Sequence, residues 1–409
     1  MATAALLFNF KSVNLGNEAL TAQVGREMRD AYGAANVSGF HRLPGALNIR
    51  LCAGTPAAFE QEADKWATRV AGLPPRAAGG GFDVMEFGLR HESLLGGPGS
   101  PRRNLVSVVT GLPVVRSLRA SRQSGEVERQ LHGVVSHDHV AYMPAGEINT
   151  VGAPLTRFLE IAVAQRTGRR TALVNFSYEP NAAVTGVARA VLPACDLIFV
   201  RDERSIPRLV GDGASLERIR VVPDAVIAVD APRRDPVRET QRVGIAFNST
   251  LDSANLPVWS AAIKSLRAQG REVVLLSNEQ GRDERSLASV ARETGTEMLE
   301  APRSYVDYAK ELTRLDAVVS TRFHTLVLAL VCGLRAIPVE GTADRIRGAL
   351  EVFGLPGVVV DARPAAGDFD TAIVNAVVDG GCGLTVEQVD GLAQQVRSSY
   401  ASLPSALAS

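Results

Sequence analysis

Cysteine is scarce in this chain: four thiols, Cys52, Cys195, Cys332 and Cys382, in 409 residues. They stand far apart with no C-x-x-C spacing, which excludes a zinc framework or a disulfide-stapled scaffold and leaves reduced core thiols as the expectation. Net charge is absent as well, with 44 basic side chains balanced by 44 acidic ones. A protein held on nucleic acid by bulk charge would not have this balance, so no nucleic-acid partner is expected. No unbroken apolar run approaches the roughly 18 residues of a membrane span, and "MATAALLFNFKS" lacks a basic region before its short apolar run. The expectation is a soluble, cytoplasmic protein. No short-period repeat is present. His137-Asp138-His139 are close in sequence but make a poor zinc set, so no metal is expected.

What is present is the composition of an ordinary globular protein, 46% hydrophobic and 22% charged. The length exceeds one ordinary core and predicts two domains. Short apolar runs fall at Ala5–Phe8, Asp83–Phe87, Val106–Val109, His139–Met143, Thr171–Phe176, Leu197–Val200 and Ile219–Val222. After a break they resume at Val243–Phe247, Glu272–Leu276, Ala317–Val319 and Ala336–Val339. Helical periodicity fills Glu18–Tyr32, Pro56–Ala71, Leu155–Thr167, Leu256–Ala268, Glu284–Glu293 and Tyr305–Arg314. Wholly apolar strands alternating with amphipathic helices predict parallel sheets covered on both faces, hence an α/β fold. The break "VDAPRRDPVRETQR" reads as an inter-domain linker. The expected layout is 1–230 as a Rossmann-like domain, 231–242 as linker, 243–385 as a second Rossmann-like domain, and 386–409 as a helical segment at the junction. The Gly/Pro-rich "ESLLGGPGSPRRNL" (Glu92–Leu105) reads as a surface excursion.

Ligands of open parallel sheets bind beyond the carboxyl ends of the strands, so strand-to-helix turns carry the functional signal. The first is "FKSVNLGNEAL", where Asn14, Gly16 and Asn17 precede a helix opening at Glu18. Gly16 allows close backbone approach and the helix start offers free N–H groups to an anion. A tight turn with Asn17 as N-cap accounts for the same residues. The second is "CDLIFVRDERSIPRLV": Arg201, Asp202, Glu203, Arg204 and Ser205 follow a strand ending at Val200. Arg201 at a strand's carboxyl end is aimed into the cleft and suits a phosphate or carboxylate, with Asp202 expected to orient it. In "RIRVVPDAV", Pro223-Asp224 reads mainly as a structural turn. In the second half, "RLDAVVS" leads into "TRFHTLVLALVCG". Ser320 and Thr321 are expected to cap that helix, with Arg322 and His324 in its first turn. A cation there opposes the helix dipole, so Arg322 predicts a bound anion, while the same dipole favours a neutral, proton-shuttling imidazole at His324.

The order "NLGNEAL", "DLIFVRDERSIPRLV", "IRVVPDAV", "VGIAF" and "LDAVVSTRFHTLVLALVCGLRAIPVEG" resembles the polysaccharide pyruvyl transferase family. That family pairs an N-x-G-(D/N)-E-A turn with V-R-D and V-x-P-D strand exits and an S-x-R-(L/F)-H exit before an apolar helix. The resemblance runs from about Asn14 to about Leu355 and is poor between Gly39 and Thr171. It implies two glycosyltransferase-B-like Rossmann domains facing a cleft, and transfer of a pyruvyl group from phosphoenolpyruvate to the hydroxyls of a sugar or glycan. His324, Arg322 and Arg201 become the expected catalytic set. Asn14, Gly16, Asn17, Arg204, Ser320 and Arg345 become the expected substrate contacts, Arg345 standing where the family has a lysine. No metal or cofactor enters this scheme, and a lipid-linked acceptor would bring peripheral membrane association. The family's glycine-rich strand exit is missing from "HVAYMPAGEIN", so the acceptor side diverges. Two other readings of the same residues are a nucleotide-sugar glycosyltransferase, with "FNSTLDSANLP" near its nucleotide, and a non-catalytic protein that binds a sugar or phosphometabolite.

Overall fold

The structure is a computed structural model, and it describes residues 2–8, 14–40, 55–73, 113–145, 148, 153–235, 240–248, 256–279, 281, 283–340, 345–355, 360–361 and 369–408. The strands expected at Asp83–Phe87 and Val106–Val109, the excursion at Glu92–Leu105, Cys52, and most of "FNSTLDSANLP" lie outside these residues.

The first six strands are β1 (Ala4–Phe8), β2 (Val37–Phe40), β3 (His139–Met143), β4 (Arg170–Phe176), β5 (Leu197–Val200) and β6 (Ile219–Val221). They form one parallel sheet in the order β2-β1-β3-β4-β5-β6. The other six are β7 (Arg242–Ala246), β8 (Glu272–Leu275), β9 (Glu297–Met298), β10 (Ala317–Ser320), β11 (Arg335–Glu340) and β12 (Val360–Asp361). They form a second parallel sheet, β12-β11-β10-β7-β8-β9. Strands β1, β3, β5 and β10 are buried throughout, as expected where helices cover both faces.

The helices of the first half are α1 (Leu15–Tyr32), α2 (Pro56–Ala71), α3 (Pro113–Val135), α4 (Ala153–Arg166), α5 (Ala182–Val191) and α6 (Ser205–Gly211). Those of the second are α7 (Leu256–Ala268), α8 (Glu284–Thr294), α9 (Tyr305–Leu312), α10 (Phe323–Val331), α11 (Arg345–Val352) and α12 (Phe369–Val378). Two terminal helices follow, α13 (Val386–Ala401) and α14 (Leu403–Ala408). A capping box at Thr385 and Gln388 starts α13, which packs on α1 and on the turn Ala225–Ala228, so the chain's end returns to the first sheet's side.

A single apolar cluster runs through both halves. It joins Leu20 and Val24 of α1, Ala225–Val229, Leu326–Val331 of α10, and Val389 and Val396 of α13. Helix α10 lies on β10 and β11 and also meets α1 and the Ala225–Ala228 turn. That double burial is why "TLVLALV" is apolar all round: one face answers to each half of the molecule. The linker expected at 231–242 is stitched to the second sheet, where Asp316 pairs with Arg234 and accepts from the backbone N–H groups of Thr240 and Arg242.

Second-sheet topology places the site. The chain leaves β7 for β8 on one side and returns through β10 on the other, so β7 and β10 flank a switch point. Ligands in open α/β sheets sit at such a crevice, beyond the carboxyl ends of these two strands. Ser320–His324 leave β10 there.

Candidate active site

Ser320 ends β10 and supplies the turn's first hydrogen bonds. Its hydroxyl donates to the Ala246 carbonyl at 2.7 Å and accepts from Arg322 N–H at 2.8 Å. Thr321 does not cap α10 as expected; its Oγ1 accepts from Asn248 N–H at 2.8 Å and ties the exits of β7 and β10 together. Arg322 takes the N-cap position without a capping side chain.

Arg322 has counter-ions within the fold, which the sequence reading did not foresee. The guanidinium meets Glu279 at 3.2 Å and forms an ion pair with Asp283, both carboxylates standing just beyond β8. The anion that answers Arg322 is built into the fold, and its Nε alone has no hydrogen-bond partner among the described residues.

Arg201 follows β5 and is 3% exposed. Its Nη1 lies 2.8 Å from Asp224 Oδ2 and its guanidinium stacks over Phe323, 4.6 Å from the ring centroid. Asp202, expected to orient Arg201, instead accepts from the backbone and hydroxyl of Ser205 and starts α6. The orienting group is Asp224, read from sequence as a turn. Pro223-Asp224 does turn the chain, with Asp224 Oδ1 accepting from Val226 N–H at 2.9 Å, but the carboxylate is wholly buried and ionic. Burial pushes the Asp224 carboxyl up; the hydrogen bond and charge of His324, and then those of Arg201, outweigh it and hold the group well below the usual carboxylate range.

His324 comes from the other half of the molecule. Its Nε2 faces Arg201 Nη1 at 3.4 Å and Asp224 Oδ2 at 3.7 Å, and its side chain is 11% exposed. The opposite edge of the ring rests on α1. A Cβ at Gly16 would stand 2.4 Å from His324 Cβ and 2.8 Å from its Nδ1. The glycine is therefore required by packing against this ring.

Asn14, rather than Asn17, caps α1: its Oδ1 accepts from Asn17 N–H at 3.0 Å, and the helix starts at Leu15, three residues before the expected Glu18. The same turn docks on the second half, where Leu15 N–H donates to the Asn278 carbonyl at 3.0 Å and Asn14 forms an antiparallel bridge with Glu279. Arg204 pairs with Glu351 of α11 at the boundary between the two halves. Arg345 opens α11, and its side chain lies outside the described residues.

Of the expected site residues, His324 meets both Arg201 and Gly16; Arg322 and Ser320 adjoin it along the β10 exit. Sequence reading missed Asn175, Glu279 and Asp283. The only signal for the last two was their place beyond an apolar strand. His137 and His139 are buried structural groups, bonded to Ser38 Oγ and Gly133 O, and to Tyr32 OH. Among the described residues no group of three or more His, Cys, Asp or Glu could hold a metal ion. The described cysteines, Cys195, Cys332 and Cys382, are buried free thiols.

A family model described as polysaccharide pyruvyl transferase matches residues 101–341, which is more than half of the chain. The chain belongs to the polysaccharide pyruvyl transferase family. It is thus a transferase of the kind that pyruvylates glycans, and the matched span holds Arg201, Asp224, Arg322 and His324 while leaving out the Asn14–Asn17 turn. No curated protein matches the sequence significantly. Among solved structures, a UDP-N-acetylglucosamine 2-epimerase from Rickettsia bellii is similar over 99% of this chain and 97% of its own, with a TM-score of 0.54 at 11% identity. A putative UDP-N-acetylglucosamine 2-epimerase from Listeria monocytogenes gives 0.51 at 10%, covering 96% and 91%. A lipopolysaccharide outer core galactosyltransferase gives 0.51 at 12%, covering 98% and 99%. At these identities the likeness is one of fold: two Rossmann-like domains of the glycosyltransferase-B type. No helix among the described residues is long and apolar enough to cross a membrane.

Proposed function

We propose that this family member transfers the pyruvyl group of phosphoenolpyruvate to two hydroxyls of a sugar or glycan, closing a cyclic ketal. The observation that carries the reading is the meeting of Arg201 and His324 at 3.4 Å, from strand exits 123 residues apart in the chain. Buried Nε–H groups of Arg201 and Arg322, without hydrogen-bond partners among the described residues, are left to donate to an anionic substrate.

In this scheme His324 protonates the methylene carbon of phosphoenolpyruvate, and positive charge develops on the adjacent carbon. One acceptor hydroxyl attacks that carbon and its proton returns to the imidazole. The carbon–oxygen bond to phosphate then breaks, and the second hydroxyl closes the ketal while its proton leaves with the phosphate. Arg201 and Arg322 stabilise charge on the departing phosphate. Because both are already held by carboxylates, they stay ordered before the donor arrives and act as preset donors rather than free charges. Arg345 and the Asn14–Asn17 turn remain proposed substrate contacts, and the acceptor is proposed to enter from the first domain.

The test is phosphate release from phosphoenolpyruvate against a panel of glycosides. Replacing His324→Ala should lower turnover by about 10²–10⁴-fold with the fold retained, the usual range for a positioned acid–base group. Survival of activity within a few fold would remove His324 from that role. Release of nucleotide from a sugar donor, with no phosphate release, would replace pyruvyl transfer by glycosyl transfer.

A further inference from the structure

Asp224 is heavily engaged at the centre of the site. Its Oδ2 receives Arg201 Nη1 at 2.8 Å and Asn175 Nδ2 at 3.0 Å, and faces His324 Nε2 at 3.7 Å. Asn175 is itself unusual. It adopts φ +55°, the left-handed region that non-glycine residues rarely enter, at an irregularity where the β4–β5 register shifts between Leu173 and Phe176. That backbone turns its amide onto the Pro223-Asp224 turn, where Oδ1 accepts from Ala225 N–H at 2.7 Å while Nδ2 holds the carboxylate. Both ends of one side chain are spent on one neighbour. A backbone of this kind persists where the surroundings over-determine it.

We propose that Asp224 is a positioning residue for pyruvyl transfer, fixing Arg201 and the Nε2 edge of His324 as one unit across the domain boundary, and that Asn175 sets its carboxylate. A guanidinium has only donors, so Arg201 cannot by itself favour an N–H on the nitrogen it faces. A carboxylate has only acceptors and does favour it. The Nδ1 edge is closed off by Gly16, which leaves Nε2 as the nitrogen turned toward the polar centre. Asp224 thus selects where the ring keeps its proton and offsets the guanidinium beside it. The unit joins residues of both domains, so it exists only while they are closed on each other. This rests on the reading of His324 as the acid–base group.

Two variants separate the proposal from a structural role. Asp224→Asn preserves size; Asn175→Gly removes the amide while adopting the same backbone without strain. Turnover in the pyruvyl-transfer assay should fall by about 10²-fold or more for Asp224→Asn and by about 10-fold for Asn175→Gly, with donor KM changed by less than about threefold. The second readout needs no donor: nitrogen-15 spectra of the imidazoles, with the His324 signals assigned by their loss in His324→Gln. In both variants those signals should move toward the tautomer protonated at Nδ1. Ring signals in both variants that coincide with the wild type would overturn the proposal whatever the donor is. Failure of phosphate release by the wild type would sink the phosphoenolpyruvate reading instead and leave the spectra to decide this one. Should Asp224→Asn not fold, Asn175→Gly carries the same two readouts.

Discussion

Gly16 and His324 touch so closely that the contact constrains the whole site, since an added methyl would stand 2.4 Å from His324 Cβ. Gly16→Ala should therefore push the ring from Arg201, cost about 1–3 kcal/mol of stability as an overpacked contact, and lower turnover about 10-fold or more. Steady-state kinetics and a denaturant melt check it; wild-type values for both would mean the docking of α1 is irrelevant to the site. At this scale sequence reading was uneven. Arg201, Arg322 and His324 were legible as polar groups at strand exits because each follows an apolar strand. Their partners were not. Glu279 and Asp283 lie 43 and 39 residues from Arg322, and no local pattern links separate strand exits. Asp224 was hidden by a turn that explains Pro223-Asp224 equally well.

Helix α1 reaches the second domain a second time through Glu18, whose carboxylate accepts from Tyr305 N–H at the start of α9 at 3.2 Å. Burial raises the Glu18 carboxyl, the Tyr305 hydrogen bond lowers it, and Asp307 raises it further, bringing it from the ordinary 4.5 to about 7. A carboxyl raised on folding holds a proton that the unfolded chain releases, so its contribution to stability falls as pH rises from about 4.5 to about 7. Glu18→Gln keeps an acceptor for Tyr305 and should flatten that part of the profile, raising the melting temperature near pH 8 relative to the wild type. Parallel slopes for the two proteins would show that Glu18 does not titrate at this junction. Among elements, the strands read most clearly from sequence were those buried on both faces. The three that were missed, β2, β9 and β12, are sheet edges, two of them only two residues long, with too little apolar pattern to register.

Across the whole molecule the two domains share one apolar cluster, to which α10 contributes Leu326–Val331. Leu328, fully buried there, should cost about 2–5 kcal/mol when replaced by Ala, measured by denaturant midpoint. A loss well under 1 kcal/mol would mean that the inter-domain packing is loose. The parallel sheets were legible from alternating apolar runs and amphipathic helices. The shared cluster was not, because an all-round apolar helix looks the same whether one domain or two bury it. With Arg201 at 3% and His324 at 11% exposure, the imidazole and its arginine partner are assembled and largely shut away from solvent. In the proposed function this assembly moves a pyruvyl group from phosphoenolpyruvate. The most direct measurement follows phosphoenolpyruvate labelled with carbon-13 at its central carbon by NMR, with a reactive glycoside in deuterated water. The label should appear as a ketal carbon bonded to a methyl bearing solvent deuterium, and His324→Ala should abolish this. A label that stays in phosphoenolpyruvate while a nucleotide sugar is consumed by the same enzyme would contradict it.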